Sequence, residues 1–496
     1  MKRRIFALLL AFALVLCGCQ KAEKACTAHV DADENYRCDT CDTSILVYID
    51  FYTINDLHGK LADGENHPGV DELTCYLKTQ QAADDYAIFL STGDMWQGAA
   101  ESNLTGGAII TDWMNALDFT AMTLGNHEYD WGESFIEKNA AAAEFPILAI
   151  NVYDRETDQR VDYCQASVVV EHGGVRIGII GAIGDCYSSI SPDKVQDVYF
   201  KTGRELTALV KAESQRLRTQ QDVDIVIYSV HDGYGNSGGS YIADSQLSSY
   251  YDVSLSDGYV DLVFEAHTHQ RYVLKDSHGV YHIQCGGDNK GISHVELAYN
   301  TLTGDYFITD TALVYASVYE NLPDDPIVQQ LLDKYAEEIS KADVICGYNS
   351  RERRSDWLRQ KVADLYLEAG IEKWGGEYDI VLGGGFISIR SPYDLAKGDV
   401  TYGMLQNLFP FDNELVLCSI KGSDLLNRFI YTDNNNYFIA RPDSRSIDPN
   451  QTYYIVVDSY SSSYAPNRLT EVARYGADIF ARDLLADYIA TGALEK

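Results

Sequence analysis

Five short segments of this 496-residue chain gather acid, amide and imidazole side chains in groups that folding alone does not call for. They are Asn55-Asp56-Leu57-His58, Gly93-Asp94, Gly125-Asn126-His127-Glu128, Ser229-Val230-His231 and His267-Thr268-His269. Asp, Asn and His without a thiolate are donors for two adjacent divalent metals with open positions, an arrangement that attacks phosphate esters. Taken singly, D-x-H and Gly-Asp are weak signals that any polar turn can produce. Gly125-Asn126-His127-Glu128 followed by Asp130 is far more specific. Asn126 offers a neutral carbonyl oxygen to a metal, His127 can act on a leaving oxygen, and Asp130 can fix the tautomer of His127. His267 and His269, two apart on extended backbone, put their imidazoles about 7 Å apart along one side.

Each segment follows a run rich in β-branched and aromatic residues, at 45–54, 87–90, 120–124, 224–228 and 260–265. These runs predict strands that deliver the donors at their ends. The length exceeds one ordinary core, so two α/β domains are expected. Pro323-Asp324-Asp325-Pro326 closes the first; Asp325 caps and Pro326 starts a connecting helix over 323–341. Ile327, Leu331, Tyr335 and Ile339 then recur at near-helical spacing. The expected layout is a leader at 1–19, a stalk at 20–44, a catalytic domain at 45–322, the helix at 323–341 and a second domain at 342–496.

The N-terminus has a basic start, an apolar run too short to span a bilayer comfortably, and Leu16-Cys17-Gly18-Cys19. This reads as a signal peptide resembling a bacterial lipobox, with Cys19 acylated and the lipid as the only membrane anchor. In the stalk, Cys26-x2-His29 and Cys38-x2-Cys41 offer four tetrahedral zinc ligands, with a disulfide or a plain spacer as the alternatives. Asp31-Ala32-Asp33-Glu34-Asn35 resembles the start of a calcium loop but lacks its glycine and distal glutamate. Of the chain's 11 cysteines, the scattered remainder are expected to be buried free thiols. A formal charge of −35 spread along the chain argues against a nucleic-acid polymer as partner. An anionic substrate must be drawn locally, by metal or by buried Arg.

The five segments in this order resemble the calcineurin-like metallophosphoesterases, and more narrowly the two-domain 5′-nucleotidase and UDP-sugar hydrolase family, from about residue 46 onward. The resemblance implies a four-layer α/β/β/α sandwich, a connecting helix about which the second domain rotates, and an α/β substrate-binding domain. It implies one metal on Asp56, His58, Asp94 and His269 and a second on Asp94, Asn126, His231 and His267, with zinc, manganese or iron as the ions. His127 and Asp130 correspond to the family's catalytic dyad, beside a metal-bridging hydroxide. Asp130, where related 2′,3′-cyclic phosphodiesterases tend to have Asn, tilts the reading towards nucleoside 5′-monophosphates; 2′,3′-cyclic nucleotides, 3′-nucleotides and UDP-sugars are the alternatives. A nucleotide-binding surface protein without catalysis is the reading from another class, and turnover of an aryl phosphate separates the two.

In the second domain, Arg351, Arg353 and Arg354 form a basic cluster near the family's substrate-contacting Arg, and Arg354 is taken as the candidate. Gly383-Gly384-Gly385 ahead of Arg390 is read as backbone that cradles an anion, with Arg390 on the phosphate. Phe411 would stack on the base, Asn413 would meet its edge, and Tyr460 would be the second stacking ring. The chain departs from the family after Tyr460, where Ser462-Ser463-Tyr464 replaces Gly-Gly-Asp.

Overall fold

The computed structural model describes residues 26, 28–63, 68–84, 87–234, 251–390, 392–430, 437–465, 467–476 and 479–495. Cys19 and the rest of the leader lie outside the described residues. Residues 1–48 with 298–307 form a small unit, and 49–297 with 308–496 form a large one. In the small unit, Asp31 accepts the backbone N–H groups of Asn35 and Tyr36 at 3.0 and 2.9 Å, which closes the acidic stretch into a turn on itself. No helix among the described residues is long and apolar enough to cross a membrane.

Two six-stranded sheets organise the N-terminal part of the chain. The first runs in the order Tyr306–Tyr315, Gly291–Asn300, Leu46–Ile54, Ile88–Ser91, Ala121–Thr123, Ile147–Leu148. The second runs Arg271–Lys275, Tyr281–Cys285, Leu262–Phe264, Ile225–His231, Val175–Ile183, Ser167–His172. The strands that carry the five segments pair in parallel within each sheet, so their C-terminal ends open on the same side. Their near-continuous apolar runs follow from burial on both faces. The sheets meet through Phe51 against Phe264, rings 6.1 Å apart, and through the Thr123 and Ser229 hydroxyls at 2.7 Å.

Helices cover the outer faces. Helix Gly203–Gln220 sets Leu206, Val210 and Leu217 on one stripe against the second sheet. Helices Asp71–Ala83, Ala108–Ala116 and Glu133–Ala142 bury Leu73, Leu77, Trp113 and Ile136 in the core of the first. The result is the expected α/β/β/α sandwich.

One polar cluster is buried in the second sheet. His282 lies between Glu265 at 2.9 Å and Asp276 at 3.5 Å. Burial opposes its charge, but the two carboxylates prevail and raise it to about 9. Its ordinary value is near 6.5, so the stabilisation is complete below that pH and is lost as pH rises through 9. Urea midpoints should therefore show the advantage of the wild type over His282→Gln shrinking by about 3 kcal/mol between pH 6.5 and 9.

The connecting segment is not one helix. It runs as helix Pro326–Lys334, a break at Tyr335, a short turn Ala336–Ile339 and a 3-10 turn Ser340–Asp343. Asp325 caps the first piece by accepting from Ile327 N–H, with Pro326 in its first turn. The Tyr335 hydroxyl donates to Asp112 at 2.6 Å, and its ring packs with Ile327 and Leu331 against the core of the first sheet.

The C-terminal part has a five-stranded sheet in the order Tyr437–Ala440, Ile380–Phe386, Thr452–Asp458, Leu415–Lys421, Leu469–Arg474. Helix Ser355–Trp374 packs on it through Leu358, Val362 and Tyr366. The glycine run corrects the sequence reading. Gly383, Gly384 and Gly385 are not an anion cradle but lie inside strand Ile380–Phe386, paired to Ala440, Ile439 and Phe438. A Cβ on Gly383 would fall 2.5 Å from the backbone nitrogen of Leu367, so the glycine lets helix and strand backbones approach.

Candidate functional site

The five strand-end segments converge on one buried polar nest. Asp56, Asp94 and His231 are at most 1% exposed, Asn126 2% and His58 6%. Donor atoms of Asp56, His58 and His269 lie within 4.8 Å of one another, as do those of Asp56, Asp94 and His231. The rings of His231 and His267 are 5.5 Å apart. Asp56, His58, Asp94, His267 and His269 all have left-handed backbone, with φ of 51, 51, 54, 65 and 50°. These sharp turns at the strand ends aim consecutive polar side chains inward.

The backbone decides which lone pairs face the centre. Asp56 Oδ2 accepts His267 N–H at 3.0 Å, and Asp94 Oδ1 accepts His127 N–H at 2.8 Å. His231 Nδ1 donates to the Thr92 carbonyl at 2.6 Å, and His58 Nδ1 to the Gln97 carbonyl at 3.0 Å. A carbonyl only accepts, so Nδ1 carries a proton in both rings, and Nε2 is the nitrogen each ring offers to a cation when neutral. His231 Nε2 then faces Asp94 Oδ2 at 3.1 Å, and His58 Nε2 faces His269 Nε2 at 3.2 Å. Asp56 Oδ1, Asn126 Oδ1 and His231 Nε2 are buried without a hydrogen-bond partner.

Acceptors that confront each other in the dry interior call for positive charge between them. The same demand appears in the titration of His231, where burial is outweighed by Asp94 and then Asp56, which raise the ring to about 10. The donor set therefore fits cations of the divalent type. Cys186, whose sulfur lies near His231 and His267, is not one of these donors. Its thiol donates to the His231 carbonyl at 2.7 Å, and burial pushes it well above the ordinary range.

Glu128 holds the nest from behind. Its carboxylate accepts the N–H groups of Asp94, Met95, Trp96 and Gly125 at 2.9, 2.8, 3.2 and 2.7 Å. Sequence reasoning gave this residue no part, because three of its four partners lie in a loop some thirty positions upstream. Gly125 has its own constraint: an added Cβ would come 2.5 Å from Asp94 N and 2.8 Å from the His231 ring.

His127 stands beside the nest on a short 3-10 turn, His127–Tyr129. Its Nδ1 is 2.7 Å from Asp130 Oδ2, and its Nε2 is 2.8 Å from an Arg390 guanidinium nitrogen. Burial works against a charge on this ring, but Asp130 and Asp94 leave it above its ordinary value. The Phe411 ring lies 6.0 Å from His127, and the Arg390 guanidinium lies over Phe411 at 5.3 Å. A cavity of about 300 Å³ joins these groups and is also lined by Asn413, Tyr460 and Lys194.

The far wall of that cavity holds a ring that sequence reasoning missed. Phe386 lines it and packs against Tyr460, centroids 5.7 Å apart. Its only signal was an aromatic residue after the glycines. Lys194 belongs to a segment with no motif at all. Arg354 does not join the site; its side chain is 84% exposed and its carboxylate neighbour is Glu352 at 4.0 Å. It precedes helix Ser355–Trp374 at the N-cap, a position that points it outward, whereas Arg353 is buried over Trp357.

The residues 49–271 match the calcineurin-like phosphoesterase family. Over 88% of its length the chain is 23% identical to protein UshA of Yersinia enterocolitica, covering 86% of that protein. It is 28% identical to an apyrase of Tabanus yao, covering 76% of this chain and 72% of the other. A 5′-nucleotidase precursor from Thermus thermophilus superposes with a TM-score of 0.64 at 18% identity, over 90% of this chain and 96% of that one. Phosphoesterases of this class work with divalent metal ions, the charge that the confronted acceptors require. Residues 49–271 are thus a calcineurin-like phosphoesterase domain, a hydrolase of phosphate esters, in a chain with the two-domain fold of the 5′-nucleotidases.

Proposed function

We propose that this protein removes phosphate from nucleotides, with nucleoside 5′-monophosphates as its preferred substrates. The observation that carries this reading is the single cavity in which His127, Arg390, Phe411, Asn413 and Tyr460 meet beside the confronted acceptors. Asp56, His58, Asp94 and His269 would hold one divalent ion, and Asp94, Asn126, His231 and His267 the other. Mixed carboxylate, imidazole and amide donors suit zinc, manganese or iron. When bound, such a pair supplies Lewis acidity and lowers the pKa of water for attack on phosphorus.

The chain's own residues divide the remaining work. Arg390 donates to Nε2 of a neutral His127 in this arrangement, since a protonated ring has no lone pair to offer. A phosphoryl oxygen that takes over Arg390 releases Nε2. Asp130 and Asp94 then favour its protonation, and the ring can donate to the transferring group or the departing oxygen. Phe411 would stack on the base, Asn413 would meet its edge, and the Phe386–Tyr460 pair lines the same cavity.

A panel of nucleoside 5′-monophosphates, 3′-nucleotides, 2′,3′-cyclic nucleotides and UDP-sugars, with manganese or zinc added, tests the reading. The highest kcat/KM is expected for the 5′-monophosphates. A cyclic nucleotide or UDP-sugar in first place would reassign the substrate, and failure on an aryl phosphate with metals bound would remove catalysis altogether. Phe411→Ala should raise KM for a nucleotide by about 5- to 150-fold, the loss of 1–3 kcal/mol of stacking, and leave the KM of a small aryl phosphate nearly unchanged.

The departure at Ser462-Ser463-Tyr464 favours a second, narrower reading of specificity. Tyr464 donates to the carbonyls of Ser188 and Ile190 at 2.6 and 3.1 Å, so this stretch is engaged with the 185–194 segment. Base and ribose selection would then fall to Phe411, Asn413 and Phe386. The leader would place the enzyme outside the cytoplasm, anchored through a lipid on Cys19.

A further inference from the structure

The stalk ends of the small unit hold four potential ligands that the phosphoesterase chemistry does not use. Cys26 Sγ and Cys38 Sγ are 3.8 Å apart, and Cys41 Sγ is 3.5 Å from His29 Nδ1. All four donor atoms lie within 4.8 Å of one another. A tetrahedral zinc with Zn–S near 2.3 Å and Zn–N near 2.0–2.1 Å sets its donors about 3.8 and 3.6 Å apart. A disulfide would need about 2.05 Å between sulfurs, and the three cysteines are free thiols here.

The local chain is shaped for that geometry. Residues 28–44 have one buried member, Cys38, and their strand pairing is a single bridge, Arg37 to Ser44. Backbone bonds from Cys38 N–H to Thr43 and from Asp42 N–H to Cys38, at 2.9 and 2.8 Å, turn the chain tightly about that sulfur. A segment this short buries too little apolar surface to fix itself, and small modules of this kind are ordered by a disulfide or a metal.

We infer that Cys26, His29, Cys38 and Cys41 form a closed structural zinc site, separate from the phosphoesterase centre. The two centres differ in one usable respect: the catalytic donors include no thiolate, so sulfur-to-metal charge transfer reports the stalk alone.

The full chain, isolated under reducing conditions and titrated with cobalt(II) to saturation, should develop a near-ultraviolet thiolate-to-cobalt band whose limiting amplitude corresponds to one three-thiolate cobalt per chain. Zinc should then bleach it. Cys38→Ser and Cys41→Ser should abolish the band and lower zinc content by one ion per chain. His29→Cys should keep the band and strengthen it, which separates ligand exchange from simple misfolding. Absence of the band while the thiols remain titratable overturns the site. So does a disulfide among Cys26, Cys38 and Cys41 in protein isolated without reductant.

Discussion

His127→Ala lowers kcat for nucleotide hydrolysis by about 10²- to 10⁴-fold, the range expected when a positioned proton donor is lost, while elemental analysis finds the cation content unchanged. Both halves follow from where the ring's bonds go. Nδ1 meets Asp130 and Nε2 meets Arg390, so neither nitrogen points into the donor nest. The contact that His127 does make with the nest is its backbone N–H to Asp94 Oδ1, which alanine keeps. Loss of cations along with turnover would make His127 a supporting residue, and unchanged turnover would remove it from the mechanism. Asp130→Asn should give a smaller loss, because an amide can still orient the ring but cannot stabilise its charge.

Glu128→Gln has the second largest expected effect, though the side chain touches no substrate. One carboxylate oxygen accepts from Met95 and Trp96, the other from Asp94 and Gly125. A glutamine has one accepting end, so whichever way it turns, an NH2 group meets two backbone N–H donors. Burial, with Asp94 next, pushes Glu128 up to about 7, while His231 and the Gly125 and Asp94 amides favour its anion. Two buried donors left unsatisfied cost at least ~2 kcal/mol of stability. Displacing the turn that carries Asp94 should weaken metal affinity about 10- to 100-fold, the usual result of losing an outer support. Urea midpoints and chelator competition measure the two effects separately. A variant with normal metal affinity would show that the turn holds itself.

The contrast between these two residues shows what a one-dimensional reading can reach. Asp56, His58, Asp94, Asn126, His231, His267 and His269 were legible because each sits just beyond a run whose composition announces a strand, and parallel strands bring such ends to one side. Glu128 was visible as a letter of its motif, but its function is to accept hydrogen bonds from a loop that only the fold brings near. The glycines at 383–385 misled for a related reason. Glycine marks close backbone approach, and sequence cannot tell an anion from the helix around Leu367. Arg390 and Arg354 are equally basic on paper; the fold sets one, half-buried, against Phe411 and leaves the other in water.

The left-handed turns at Asp56, His58, Asp94, His267 and His269 have a consequence for how the centre is filled. Each holds a side-chain-bearing residue in a conformation it would abandon in a free peptide, at about 1 kcal/mol or more apiece. The polypeptide meets that tension when it folds, before any ion arrives, so loading demands little rearrangement. A frame this stiff does not slacken around whatever enters it. Choice among ions would then rest on fit to fixed spacings.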